Sequence, residues 1–129
     1  MFNSTTETSD LYKYKPELTR KNDFCSFWEK EIYELKRKPV KYEKTKIDHP
    51  IKAINVYEVT VYGYNEAPIK CLYVMPAKIK HEIPVLIRFH GYGTYTGYVF
   101  ESLEWVIQGY AVIFAGVRGQ DKGSPDTSL

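Results

Sequence analysis

Two short apolar runs, separated by a glycine-containing loop and a helical pattern, constrain the fold of this chain most. Residues 84–90 and 110–117 are nearly continuously apolar, which is typical of strands covered on both faces. Between them, apolar residues over 100–107 have helical spacing, and Gly109 ends that pattern. Strand, loop, helix and strand in this order form a βαβ unit. The sequence therefore predicts two parallel strands joined by a right-handed crossover.

Two further elements are predicted upstream of the βαβ unit. Asn22 and Asp23 are N-cap candidates, and after them apolar residues recur every three or four positions. This spacing predicts a helix of about three turns that ends at Pro39. These apolar residues are Phe24, Phe27, Trp28, Ile32 and Leu35. From residue 54 the pattern alternates, and turn residues over 63–68 separate it from a second run at 69–75. That arrangement predicts an antiparallel β-hairpin.

The predicted fold class is therefore α/β, with an N-terminal helix, an antiparallel hairpin and one βαβ unit in chain order. Residues 1–21 are polar, and Pro16 discourages a helix there, so we expect an N-terminal arm followed by one domain over 22–129. A chain of 129 residues, 43% of them hydrophobic, fits one small domain with a real core.

The segment 36–46 is strongly basic and has two interpretations. It carries six basic residues against the single acid Glu43. One interpretation is an anion-binding patch in which Tyr42 stacks on the ligand. The other, which we favour because the run is short, is a solvated connector.

Composition and residue spacing exclude several classes of function. The formal net charge is +2, so the whole chain offers no basis for binding nucleic acid or a membrane surface. The N-terminus has neither a basic start nor an apolar stretch, and Cys25 and Cys71 form no close pair, so we expect reduced thiols in the cytoplasm. The histidines lack ligand spacing, and no metal or other cofactor is expected.

Chemistry is expected where the two parallel strands end, because ligands of such sheets bind beyond the carboxyl ends of the strands. Those ends are 90–93 and 118–120, which should lie side by side. The His90-Gly91 turn fits an oxyanion-hole loop. Alternatively, the glycines up to Gly97 form a distorted dinucleotide fingerprint with Arg118 near a 2′-phosphate, or they merely turn the chain.

Four segments resemble one known family. They are 23–29 on the predicted helix, 56–63 on the first strand of the hairpin, and 84–92 and 109–120 in the βαβ unit. Together they resemble the N-terminal portion of the cephalosporin-C deacetylase and acetyl xylan esterase family, whose members are α/β-hydrolases. The resemblance runs from about residue 12 to residue 123 and covers nearly the whole chain.

The resemblance implies roles for individual residues. It implies that the backbone N–H of Tyr92, which follows Gly91, donates to the oxyanion hole. It also implies that Arg118, Gly119 and Gln120 form a structural element beside the rim of the active site. After Tyr92 the family usually has a small polar residue and a pair of glycines, whereas this chain has 93–95 as Gly-Thr-Tyr.

The rest of the family's catalytic machinery is absent from these 129 residues. The family uses a serine in a Gly-x-Ser-x-Gly elbow, then an acid and a histidine, all beyond its fourth strand. Ser124 follows a glycine, but Pro125 removes the N–H that an oxyanion hole would need. No other serine has the elbow context; the others are Ser4, Ser9, Ser26, Ser102 and Ser128.

We therefore expect the N-terminal region of an acetylesterase or deacetylase that acts on acetyl esters of carbohydrates or on cephalosporin-like small molecules. By itself this chain should be nearly inactive. The alternative is a non-catalytic binding or assembly module that pairs through an open sheet edge, and a nucleotide-binding module ranks third. In the family's strand order a further strand flanks 84–90, so the chain should be a shortened or split member that forms oligomers or binds a complementary chain. Neither nucleic acid nor membrane is an expected partner.

Overall fold

In a computed structural model, which describes residues 12–91 and 96–120, five strands form one mixed sheet. The strands are β1 (Tyr42–Ile47), β2 (Ile54–Tyr62), β3 (Pro68–Pro76), β4 (Val85–Phe89) and β5 (Ala111–Ala115). Their order across the sheet is β1-β2-β3-β5-β4. Only β4 and β5 pair in parallel; the other neighbours are antiparallel.

The predicted hairpin is confirmed as β2 and β3. The two strands pair from Ile54 with Pro76 to Tyr62 with Pro68. A short turn, Tyr64–Glu66, connects them, and the Gly63 N–H closes it by donating to the carbonyl of Ala67 at 2.9 Å. The alternating sequence thus becomes a paired ribbon because one face of each strand is apolar.

The interpretation of 36–46 as a connector was wrong for its second half. Residues 42–47 form β1, which pairs with β2 from Tyr42 with Val61 to Ile47 with Val56. All six residues of β1 are exposed, so the strand lies at an edge, and its lysines keep their charges in water. Lys44 also lies over the ring of Tyr57, with Nζ 4.8 Å from the ring centroid. A charged edge strand has the same composition as a solvated connector, and only the pairing distinguishes them.

The βαβ prediction is confirmed in its strands and corrected in its helix. β4 and β5 pair from Val85 with Ala111 to Phe89 with Ala115. The connection contains a 3₁₀ turn, Val99–Ser102, followed by a single α-helical turn, Leu103–Val106, which is shorter than the predicted helix. Phe100 and Ile107, expected on the apolar side, are exposed.

The core lies on one face of the sheet. Side chains that share this face across β2, β3 and β5 pack with Val106 from the connecting helical turn. The cluster consists of Ile54, Val56, Val74, Val106, Val112 and Phe114.

β4 departs from its predicted burial. Leu86 packs against the core cluster, but Val85, Ile87 and Phe89 are 53%, 61% and 70% exposed. The apolar pattern, which is typical of a strand covered on both faces, therefore overstated the burial of β4 among the described residues, whereas the open sheet edge that was also expected there is observed. The strand lies at the edge of the sheet, and its second face has no covering layer among them.

Contacts divide the chain into two compact units, Met1–Pro39 and Val40–Leu129. The first contains the predicted N-terminal helix, α1 (Phe24–Arg37). Ser26 Oγ donates to the carbonyl of Asp23 at 2.9 Å, and Pro39 follows the end of the helix. Within α1, Trp28 makes edge-on ring contacts with Phe24 and Phe27. In the described ranges no helix has the length and apolar character that crossing a membrane requires.

Candidate functional site

The predicted site lies at the end of the sheet where the parallel strands β4 and β5 both have their carboxyl ends. Phe89 pairs with Ala115, so the next residues, His90 and Gly116, follow the two strands at the same end of the sheet. The Gly116 N–H donates to the carbonyl of Lys70 on β3 at 2.9 Å, which holds the outgoing chain against the sheet. The structure thus brings together the two segments that the sequence predicted to be neighbours.

His90 and Gly91 begin the loop after β4. Nδ1 of His90 lies 3.0 Å from the carbonyl oxygen of Gly91. Because a carbonyl only accepts, the imidazole must donate from Nδ1. Tyr92, whose N–H the resemblance assigns to the oxyanion hole, lies outside the described residues with the rest of 92–95.

A cleft of about 290 Å³ opens beside these residues. Its lining consists of Arg88, Phe89, His90, Gly91, Thr96, Gly97, Glu101 and Phe114. Arg88 Nη1 donates to the carbonyl of Glu101 at 3.3 Å, and the guanidinium carbon lies 5.0 Å from the ring centroid of Phe114. These contacts fix one positive charge in the wall of the cleft, over an aromatic ring.

The opposite charge in the same wall comes from Glu101. Its Oε2 accepts from the N–H of Tyr98 at 3.2 Å, which ties the carboxylate to the start of the 3₁₀ turn. Gly97 lies between these groups with φ +107, and a Cβ built on it would lie 2.7 Å from Cδ1 of Phe114. No other residue type fits this position without moving the ring or the backbone.

Arg118, Gly119 and Gln120 form a turn soon after β5, near the same edge of the sheet. The Gln120 N–H donates to the carbonyl of Val117 at 3.0 Å, and Gly119 has φ +78. A positive φ at the third residue of a hydrogen-bonded four-residue turn is typical of type II turns and favours glycine. The backbone conformation of this turn thus explains why the central residue of the Arg-Gly-Gln segment is glycine.

Three of the described nucleophilic side chains, those of Ser26, Ser102 and Cys71, are poor candidates for covalent chemistry. Ser102 is fully buried and its Oγ donates to the carbonyl of Val99, while Ser26 is bound to the backbone of Asp23. Burial raises the pKa of the Cys71 thiol, which disfavours the reactive thiolate. Ser124 lies outside the described residues. Among the residues described, no three His, Cys, Asp or Glu side chains form a group that could hold a metal.

Sequence reasoning missed three polar residues of the cleft: Arg88, Thr96 and Glu101. Arg88 had a detectable signal, because it is the one charged residue inside the apolar run 84–90. Thr96 and Glu101 had none, since nothing in a loop and a short turn marks which side chains face the end of a distant strand.

Comparisons with known proteins identify the family. The family model for acetyl xylan esterase matches residues 1–129. A solved acetyl xylan esterase from Paenibacillus sp. R4 is 37% identical, with a TM-score of 0.78, over 95% of this chain and 40% of that one. Acetyl xylan esterase 1 from Thermoanaerobacterium sp. JW/SL YS485 is 28% identical, with a TM-score of 0.79, over 94% of this chain and 38% of that one.

The match covers nearly all of this chain but a minor part of each relative. This chain thus spans about two fifths of the length of these solved relatives. The sheet is a partial α/β-hydrolase fold, and the chain belongs to the acetyl xylan esterase family.

Proposed function

We propose that this chain forms the N-terminal part of an esterase that hydrolyses acetyl esters of carbohydrates. The observation that carries the proposal is the family match over residues 1–129. It is supported by a solved relative, the acetyl xylan esterase of Paenibacillus sp. R4, at 37% identity. Cephalosporin-like small esters are a second substrate class within the same proposal, on the resemblance stated above.

In this proposal the loop after β4 supplies one half of the oxyanion hole. The backbone N–H of Tyr92 donates to the oxyanion that forms when the acetyl carbonyl is attacked, and Gly91 lets the backbone approach it. Arg118, Gly119 and Gln120 shape the adjacent rim, which the type II-like turn at Gly119 supports. The reaction is acyl transfer through a serine ester, with water as the final acceptor.

The nucleophile must come from outside these 129 residues, because they contain no Gly-x-Ser-x-Gly sequence. Loss of the nucleophilic serine from such a site lowers turnover by about a million-fold. We therefore propose that the 129-residue polypeptide alone has negligible esterase activity. Both cysteines are free thiols, which supports the cytoplasm as the proposed location.

Complementation tests this proposal directly. The polypeptide is assayed for acetate release from p-nitrophenyl acetate and acetylated xylan, alone and mixed with the segment of the Paenibacillus sp. R4 esterase beyond the matched part. We expect no turnover from either piece and measurable turnover from the mixture. The control is the same segment with its elbow serine changed to alanine, which should abolish turnover. Activity of this chain alone that a serine-directed phosphonate blocks would contradict the proposal.

The exposed edge of the sheet favours a second candidate, a non-catalytic assembly module. Val85, Ile87 and Phe89 are more than half exposed on a strand with one paired neighbour among the described residues. Such a strand is a template for pairing with another chain. In this alternative the complementation mixture forms a complex without turnover.

A further inference from the structure

The outer edge of β4 carries backbone groups that point away from the sheet. The Ala111 N–H donates to the carbonyl of Pro84 at 2.9 Å, and Ala111 pairs with Val85 in the parallel register. Successive residues of a strand turn their N–H and C=O groups alternately towards a neighbouring strand and away from it. Because Pro84 faces β5, every second residue after it also does, and the residues between them face outwards. These outward residues are Val85, Ile87 and Phe89.

The outward groups have no backbone partner in the described part of the chain. There, β5 is the single neighbour of β4 in the sheet. The side chains of the same three residues are more than half exposed, so water and other molecules can approach this edge. An open row of N–H and C=O groups is a template for one more strand.

The side chains of β4 determine which kind of strand fits this edge. Val85–Phe89 contains no proline and no lysine, the residues that natural edge strands use against pairing. Its one charged side chain, Arg88, is held on the core face, where Nη1 donates to the carbonyl of Glu101 at 3.3 Å and the guanidinium lies over the ring of Phe114. The fitting partner is therefore a short apolar strand without charges on its outward residues.

β4 of a second copy meets these requirements in an antiparallel register centred on Ile87. Ile87 then lies opposite the same residue of the second copy, and Val85 lies opposite Phe89. Since all three residues have outward backbone groups, each opposed pair exchanges two hydrogen bonds. On the other face of the sheet Arg88 lies opposite Leu86, so the two guanidinium groups are not directly opposed.

We propose that β4 pairs antiparallel with β4 of a second copy about a two-fold axis at Ile87, which joins the two five-stranded sheets into one. The pairing satisfies backbone groups at the edge and leaves the second face of the sheet in water. It rests on the second candidate function, the assembly module, and identifies the partner of that module as another copy of this chain.

Cysteine cross-linking in the 129-residue chain tests the register. All variants carry Cys25→Ser, because Cys25 is exposed whereas Cys71 is buried. Ile87→Cys places two thiols on opposed residues whose Cα atoms are about 5.5 Å apart, within the range of about 4.4–6.8 Å that a disulfide spans. Val85→Cys or Phe89→Cys alone places them four residues apart along the strands, about 14 Å, which is too far. Under copper phenanthroline at equal protein concentration, Ile87→Cys should therefore form the disulfide-linked dimer about ten times faster than either.

A mixture of Val85→Cys and Phe89→Cys supplies a second, independent measurement, because these two residues oppose each other across the axis. Mass spectrometry should find the mixed disulfide, formed at a rate similar to that of Ile87→Cys. This mixture decides the register if Ile87→Cys fails to fold. The matched control is Ile79→Cys, at an exposed isoleucine outside the sheet, which should cross-link slowly.

Two results would overturn the proposal. One is an equal rate for the three single variants on β4, and the other is cross-linking on β4 no faster than that of Ile79→Cys. The complementation assay is judged separately. Cross-linking at Ile87 without turnover in the complementation mixture would retain the pairing and reject the esterase, whereas turnover without cross-linking would reject only the pairing.

Discussion

At the scale of single residues, two glycines with positive φ hold the connection between β4 and β5. Gly97 has φ +107 and Gly109 has φ +93, both in a region that L side chains rarely adopt. They differ in their surroundings. A Cβ on Gly97 would lie 2.7 Å from Phe114 and 3.0 Å from Glu101, whereas a Cβ on Gly109 would have nothing within 4 Å. The first glycine is therefore required by space and backbone together, and the second by backbone alone.

This difference predicts unequal effects of the same substitution. Gly109→Ala should lower the free energy of unfolding by about 1 kcal/mol through backbone strain. Gly97→Ala should lower it by about 3 kcal/mol, because a collision with a buried aromatic ring adds to the strain. Urea unfolding followed by circular dichroism measures both. Equal losses in the two variants would mean that the ring of Phe114 moves aside freely.

At the scale of secondary-structure elements, β5 and β4 are adjacent but have opposite environments. β5 lies between β3 and β4, and Ala111 and Val112 are fully buried in it. Within residues 12–91 and 96–120, β4 pairs with β5 alone, and Val85 is 53% exposed. The two strands have similar patterns in the sequence, because each is a short and nearly continuous apolar run.

Truncation of one valine in each strand measures that difference. Val112→Ala should lower the free energy of unfolding by about 2 kcal/mol, because it removes buried methyl groups and leaves a cavity. Val85→Ala, the matched control in the neighbouring strand, should change it by less than about 0.5 kcal/mol. Comparable losses in urea unfolding would show that β4 is covered in solution, by another copy or by residues beyond the described ranges.

At the scale of the whole molecule, the strand order decides which apolar surface remains open. The order β1-β2-β3-β5-β4 places two edges at opposite sides of the sheet. The β1 edge carries three charged residues, Glu43, Lys44 and Lys46, which oppose pairing with another chain. The β4 edge is apolar, with Ile87 and Phe89 61% and 70% exposed. Association through β4 is therefore expected, and association through β1 is not.

A charge introduced on β4 tests this expectation. Ile87→Lys should shift the chain from oligomer towards monomer in sedimentation velocity at equal protein concentration, since lysine on an edge strand opposes pairing. The free energy of unfolding of the monomer should hardly change, because the side chain is mostly exposed. The control is Ile79→Lys, an exposed isoleucine outside the sheet. If both variants associate like the parent, the open edge of β4 does not drive assembly.

Much of the fold was predictable because its signals are local. Alternation over β2 and β3, the helical spacing of α1 and the stop at Gly109 all reflect contacts within a few residues. β1 was not predicted, because nothing in 42–47 distinguishes a charged edge strand from a connector until β2 lies beside it. The connecting helix was overestimated for the related reason that apolar spacing over 100–107 does not show which side chains reach the sheet.

The candidate site was predictable in its position but not in its lining. Its position follows from the rule that parallel strands end at one edge, which places His90 and Gly116 together. Thr96 and Glu101 line the cleft because the connection after β4 folds back towards the end of that strand. The residues next to them in the sequence do not predict this packing. The roles of Tyr92 and of the Arg-Gly-Gln turn remain predictions from family resemblance.

By itself, therefore, the sequence determined the element types apart from β1, the parallel pair and the end of the sheet at which chemistry is expected, because periodicity and turn residues act over short distances. Only the tertiary structure decided the strand order and the face that carries the core. It also decided that Arg88, Thr96 and Glu101 line one cleft beside the end of β4. These properties depend on pairings between residues far apart in the chain, whose free energies no local pattern contains.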